Sequence, residues 1–106
     1  MKKLNNIILA DLSNLLLQWE DMDFTLGVVN NHLYINDIKL CNYYSIECVI
    51  EGEDLVTLEM IDGSSICICM QWVDGEKPYI YQIYREKLDK NGEEEWDCMI
   101  YDCNNS

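Results

Sequence analysis

YSIECVIEGEDLVTLEMIDGSSICICMQWV, residues 44–73, is the stretch whose reading decides the fold. Apolar side chains recur in it at every second position, the period that sends alternate residues to opposite faces of a strand. Glu51-Gly52-Glu53 and Asp62-Gly63-Ser64 break the alternation with turn-forming residues. The stretch therefore reads as strands at 44–50, 55–61 and 65–73 joined by two hairpin loops. Three-residue loops would set Cys48 opposite Val56, Ile46 opposite Leu58 and Tyr44 opposite Met60. They would also set Met60 opposite Ile66, Leu58 opposite Ile68 and Val56 opposite Met70. These registers gather one continuous apolar face, and a slip of one residue would put apolar side chains against polar ones.

Toward the carboxyl end, a four-residue loop at Asp74-Gly75-Glu76-Lys77 leads into a strand at 79–85, with Met70 against Tyr81 and Ile68 against Ile83. Asp89-Lys90-Asn91-Gly92 then leads into a strand at 95–101. Toward the amino end, runs at 24–29 and 32–35 flank Asn30-Asn31 and read as a hairpin, because asparagine tolerates positive φ. Farther out, Leu4, Ile8, Leu12, Leu15, Trp19 and Met22 recur at steps of three and four, which predicts an amphipathic helix over 4–22. The expected fold is α+β: one amino-terminal amphipathic helix packed on one face of an antiparallel β-meander of five to seven strands, a single domain over 1–106. Leu12, Leu15 and Trp19 are expected to cover the face made by Ile46, Leu58, Ile68 and Ile83.

Apolar residues make up 49% of the 106 positions, too many for a disordered acidic tail. Seven basic residues against 20 acidic ones give a net charge of −13. Nucleic acid and anionic membranes are bound through basic patches, so direct binding to either is not expected; a basic protein partner is. Acidity also keeps a small domain soluble, so charge alone does not specify the partner. Asn5, Asn6 and Asp11 interrupt the apolar residues after Met1-Lys2-Lys3-Leu4, so neither a signal peptide nor a membrane span is expected, and the cytoplasm is the expected compartment. In that reducing setting the six cysteines are expected as thiols.

No glycine-rich phosphate loop, nucleophile elbow, paired-histidine zinc helix or EF-hand loop is present in the sequence. Cys67 and Cys69 point to the same side of their strand, but the two paired ligand sets of the usual zinc site are missing, so no metal or cofactor is expected. The single histidine, His32, sits beside the expected Asn30-Asn31 turn. Glu20-Asp21 and Glu93-Glu94-Glu95 lie in polar, turn-rich surroundings that do not raise a carboxyl pKa for acid–base work. The chain is expected to bind rather than catalyse.

Between Lys39 and Lys77 there is no Lys or Arg, while Glu47, Glu51, Glu53, Asp54, Glu59, Asp62, Asp74 and Glu76 all fall there. Same-side residues on a strand lie about 6.6–6.8 Å apart. That is within the roughly 8 Å screening length of physiological salt, so the fields of neighbouring carboxylates reinforce. Glu47, Glu59, Gln71, Gln82, Tyr84, Asp97 and Tyr101 are expected to share the second face of the sheet. Glu51, Glu53, Asp54, Asp74 and Glu76 are expected to cluster at one hairpin end. Either set is a candidate partner-binding surface, with Tyr84, Tyr101 or Trp96 as aromatic anchors. In size, charge and missing chemistry the chain resembles small phage-encoded inhibitors, including anti-CRISPR and anti-restriction proteins, and equally toxin-immunity proteins. The resemblance implies an inhibitor that blocks a basic nucleic-acid-binding surface, in the manner of a nucleic-acid mimic. Alternatives are an immunity protein that caps a basic nuclease toxin, and a non-enzymatic subunit or homo-oligomeric structural domain.

Overall fold

The computed structural model describes residues 25–52, 54–71, 75 and 79–105. They form two antiparallel sheets. β1 (Leu26–Val29), β2 (His32–Ile35) and β3 (Ile38–Asn42) make a three-stranded sheet in that order. β4 (Ile46–Glu51), β5 (Leu55–Met60), β6 (Ser65–Gln71), β7 (Tyr79–Leu88) and β8 (Glu94–Asp102) make a five-stranded sheet, also in sequence order. A 3-10 turn at Tyr43–Ser45 joins the sheets, and another at Cys103–Asn105 follows β8. The α+β expectation is thereby corrected: the described residues are mainly β, in two sheets rather than one meander, with no α-helix among them. The helix expected over 4–22, with Leu12, Leu15 and Trp19, falls outside the described residues.

The three-stranded sheet is built on two-residue turns. Asn30 and Asn31 have φ of 50° and 68°, and Asn36 and Asp37 repeat these values. Two successive positive φ angles make the turn whose twist matches a right-handed hairpin, and Asn and Asp reach that region at low cost. The first of these hairpins was expected from the sequence. The second, and with it β3, was not: Asn36-Asp37 has the same kind of turn residues, but the extra residue Leu40 breaks the alternation of so short a strand.

Leu33, Ile35, Leu40 and Tyr43 join Ile46, Val56, Leu58, Met60, Ile66, Ile68, Met70, Ile80 and Ile83 in one buried cluster. The small sheet and its connecting turn therefore share the core with the apolar face of the large sheet. Burying two such faces against each other is the usual way for sheets to leave water.

The expected faces of β5 and β6 hold, but their register moves by two residues. Val56 pairs with Ile68 and Leu58 with Ile66. Met60 N–H donates to the Ser64 carbonyl, and Ser64 donates its own N–H and hydroxyl to Asp62 Oδ1, so Ser64 enters the ladder and the loop becomes 61–63. In β4 an extra residue, Glu47, lies between the pairs Ile46–Met60 and Cys48–Glu59. This bulge turns Cys48 off the core face on which it was expected, and Val49 packs on the core instead. In β7 the extra residue is Tyr81: Ile68–Ile83 pair as expected, but Met70 pairs with Ile80 rather than Tyr81. Ile80, which alternation from Tyr81 and Ile83 would put on the outer face, is consequently buried.

Candidate protein-binding face of the large sheet

The face of the five-stranded sheet turned away from the core follows from the pairings. Cys48 and Ile50 of β4 lie beside Glu59 and Thr57 of β5. Ser65, Cys67, Cys69 and Gln71 of β6 come next, opposite Glu86, Tyr84, Gln82 and Tyr79 of β7. The last rung set pairs Leu88 with Glu94, Glu86 with Trp96, Tyr84 with Met99 and Gln82 with Asp102. Three of these four rungs carry a carboxylate, and every rung but the last carries a large apolar or aromatic side chain. Trp96 is 59% exposed and Met99 40%.

Glu59, Gln71, Gln82 and Tyr84 thus lie where the sequence placed them, and Glu47 is exposed at the β4 bulge. Asp97 and Tyr101 do not join them. Asp97 is the extra residue between Arg85–Cys98 and Glu86–Trp96, and it turns to the cations. Its carboxylate lies 3.4 Å from Arg85 Nε and 3.8 Å from Lys87 Nζ, while Arg85 Nη2 is 3.6 Å from Asp62 Oδ2. Tyr101, opposite Ile83, packs against the core. Glu51 and Asp54 are exposed at the β4–β5 end; Glu53, Asp74 and Glu76 fall outside the described residues.

The sequence reading passed over Glu86, Glu94 and Asp102. Simple alternation from Gln82 and Tyr84 would have reached Glu86. Alternation from Met99 could not have reached Asp102, because the extra residue Ile100 changes the parity of β8 between them. Among the described residues no Lys or Arg lies on this face. Arg85 and Lys87 point to its reverse, where Asp62 and Asp97 hold them. Among the described residues, the carboxylates of Glu59, Glu86, Glu94 and Asp102 have no neutralising neighbour on their own side.

The middle of the face is a cluster of protonated groups. Burial pushes the Cys67 thiol up to about 11, with a smaller opposing effect from the Tyr84 hydroxyl and a further push from Glu86. Cys69 is raised chiefly by burial as well. Tyr84 is also raised, first by burial and then by the neighbouring Cys67. Its hydroxyl is engaged with these thiols, so Tyr84 is a fixture of the face rather than a projecting anchor. Cys48 donates to Glu59 Oε1 at 3.0 Å, and that hydrogen bond is the largest cause of a thiol pKa of about 11. At neutral pH these thiols are protonated, which makes them poor nucleophiles.

Acids at the other turns serve the backbone. Asp62 caps Ser64, and Asp89 Oδ1 accepts from the N–H groups of Asn91 and Glu93 at 2.8 and 2.9 Å. His32 Nδ1 lies 2.9 Å from the Asn30 carbonyl, an acceptor that requires the proton on Nδ1 and ties the ring to its turn. An open cleft of about 310 Å³ on the reverse side is lined by Cys41, Met60, Asp62, Ile66 and Arg85 among others. Burial outweighs the nearby Arg85 charge and lifts Cys41 to about 11.

No known protein family, curated protein or solved structure matches this chain. No helix among the described residues is long and apolar enough to cross a membrane.

Proposed function

We propose that this protein acts by binding a basic protein surface, most simply the nucleic-acid-binding surface of a target whose activity it blocks. What carries the reading is the β7–β8 half of the outer face. Carboxylates alternate there with the exposed Trp96, Met99 and Leu88, while the cations of the same strand are held on the reverse side. Exposed apolar side chains supply the desolvated centre that binding energy needs, and the surrounding acids select a basic counterpart and speed its approach. Trp96 is the anchor in this reading, in place of Tyr84, which is half-buried, and Tyr101, which faces the core.

The test is capture of bacterial nucleic-acid-binding proteins on the immobilised chain, followed by kinetics with the captured protein purified. Association should be fast at low ionic strength and fall as salt rises. Reversing Glu59, Glu86 and Asp102 to Lys should slow association by about tenfold or more. Trp96→Ala should cost about 2 kcal/mol of affinity or more, mostly through faster dissociation. Circular dichroism checks that each variant is folded. Unchanged binding by both variants, with rates independent of salt, would remove the proposal and leave the acidity as a solubility feature.

A further inference from the structure

Among the described residues, β4 is an unpaired edge of the large sheet. Gly52 N–H donates to the Leu55 carbonyl at 2.7 Å, which makes Gly52–Leu55 a bonded pair. Bonded and non-bonded pairs alternate along an antiparallel ladder. In the same register Ile50–Thr57 and Cys48–Glu59 are therefore bonded, and Val49–Leu58 and Glu51–Val56 are not. The far side of β5 agrees: Met60 N–H reaches the Ser64 carbonyl and Met70 N–H reaches the Asp54 carbonyl, so the even-numbered residues of β5 bond to β6. The N–H and C=O groups of Val49 and Glu51 consequently point away from the sheet. β4 is terminal in the strand order, and among the described residues no strand pairs with its outer side.

Acid surrounds those backbone groups. Glu47 and Glu51 are exposed along the edge, and Ile50, next to them on the outer face, is 48% exposed. We infer that the β4 edge accepts an extended segment of a basic partner as a further strand, with Lys or Arg against Glu47 and Glu51. The inference rests on the basic partner proposed above and adds the mode of attachment. A second copy of this chain is the wrong occupant: edge-to-edge pairing would confront these acids with their own counterparts, on chains that each carry −13. Main-chain hydrogen bonds give such a strand its affinity and alternating side chains give it specificity.

An octapeptide of alternating lysine and valine, and the same peptide N-methylated at alternate residues, test the edge on the full chain. Amide exchange by NMR reads Val49 and Glu51 directly. Their amides should exchange quickly in the free protein and at least about tenfold more slowly at saturation, as hydrogen-bonded amides do. The N-methylated peptide keeps the charge but loses edge donors, and should bind about tenfold more weakly or worse. Glu47→Lys with Glu51→Lys should abolish binding of the unmodified peptide, while Asn91→Ala, in the β7–β8 turn, leaves it intact. Peptide binding without protection of Val49 and Glu51, or equal binding of the two peptides, overturns the inference, as does no binding at all. If the peptide binds but is lost in Trp96→Ala instead, the edge inference fails while the basic-partner reading stands. That reading is decided separately, by the salt dependence of the captured protein.

Discussion

The three-stranded sheet turns both its corners in two residues, whereas the five-stranded sheet carries extra residues at Glu47, Tyr81, Asp97 and Ile100. The small sheet has one such irregularity, between Leu33 and Tyr34. Two-residue turns lock the register beside them, so alternation survives and side-chain directions stay regular. Bulges do the reverse: each one passes the following residues to the other face. In the large sheet they send Ile80 inward, keep Glu47 outside the ladder and deliver Asp97 to Arg85. The small sheet supplies shape to the core, and the large one distributes charge around it.

The largest expected effect tests whether the two sheets share one core. Leu33 of the small sheet and Leu58 of the large one are both 0% exposed. Leu33→Ala and Leu58→Ala should each cost about 2–5 kcal/mol in urea unfolding, as buried leucines do. A loss below about 1 kcal/mol for Leu33→Ala alone would separate the small sheet from the core, since full burial predicts more.

A smaller effect contrasts the turns. Gly63 has φ +90°, and a Cβ there would meet Leu88 Cδ1 at 2.6 Å. Leu88 can move, but the backbone strain persists, so Gly63→Ala should cost about 1–2 kcal/mol. Asn31 already bears part of the cost of its positive φ, and Asn31→Ala should cost less, about 0.5–1 kcal/mol. Equal losses in thermal unfolding would show that the two kinds of turn are equally strained.

The smallest effect depends on pH. The Ser64 hydroxyl and N–H, with Arg85 behind them, hold the Asp62 carboxyl below its ordinary value of 3.8. A carboxyl whose folded pKa is depressed stabilises the fold fully above its unfolded pKa, and loses that contribution as pH falls through the folded value. Asp62→Asn should therefore be less stable than wild type at pH 7, with the gap closing below about pH 4. The side chain is 63% exposed, so solvent screening keeps the gap under about 1 kcal/mol. A gap that is constant from pH 7 to below the carboxylate range would contradict it. The small sheet offers no equivalent, since its turns are held by asparagine side chains and backbone groups, as at Thr25 N–H on Asn36 Oδ1.

Much of the large sheet was legible because its apolar residues keep period two over β5 and β6, and the register error of two residues preserves faces. The error itself came from Ser64, read as a loop residue although its bonds to Asp62 carry it into the ladder. Bulges were illegible for a general reason: an inserted residue announces itself only through its partner strand, and Glu47 or Asp97 alone looks like any other polar position. The site suffered accordingly. Glu59, Gln82 and Tyr84 precede or lie between bulges and were placed correctly, whereas Asp97 and Tyr101 lie at or beyond them and were not. The small sheet's role as cover for Leu58 and Ile83 was hidden because the extra residue Leu40 breaks the period-two pattern of β3.

Every strand in both sheets pairs with its neighbour in sequence. Pairing therefore closes only short loops, whose entropy cost is low, and contact order is small for an all-β arrangement. Among the described residues, it is the meeting of the sheets that joins remote parts of the chain, as where Ile38 and Ile100 pack against one core. Each sheet can then zip along its own hairpins, and the late event in folding is their docking. Until it happens, the apolar faces that become the core are open to solvent. A negative charge of this size keeps such half-made chains apart from one another, so the acidity has a use during the protein's own assembly that is independent of any partner.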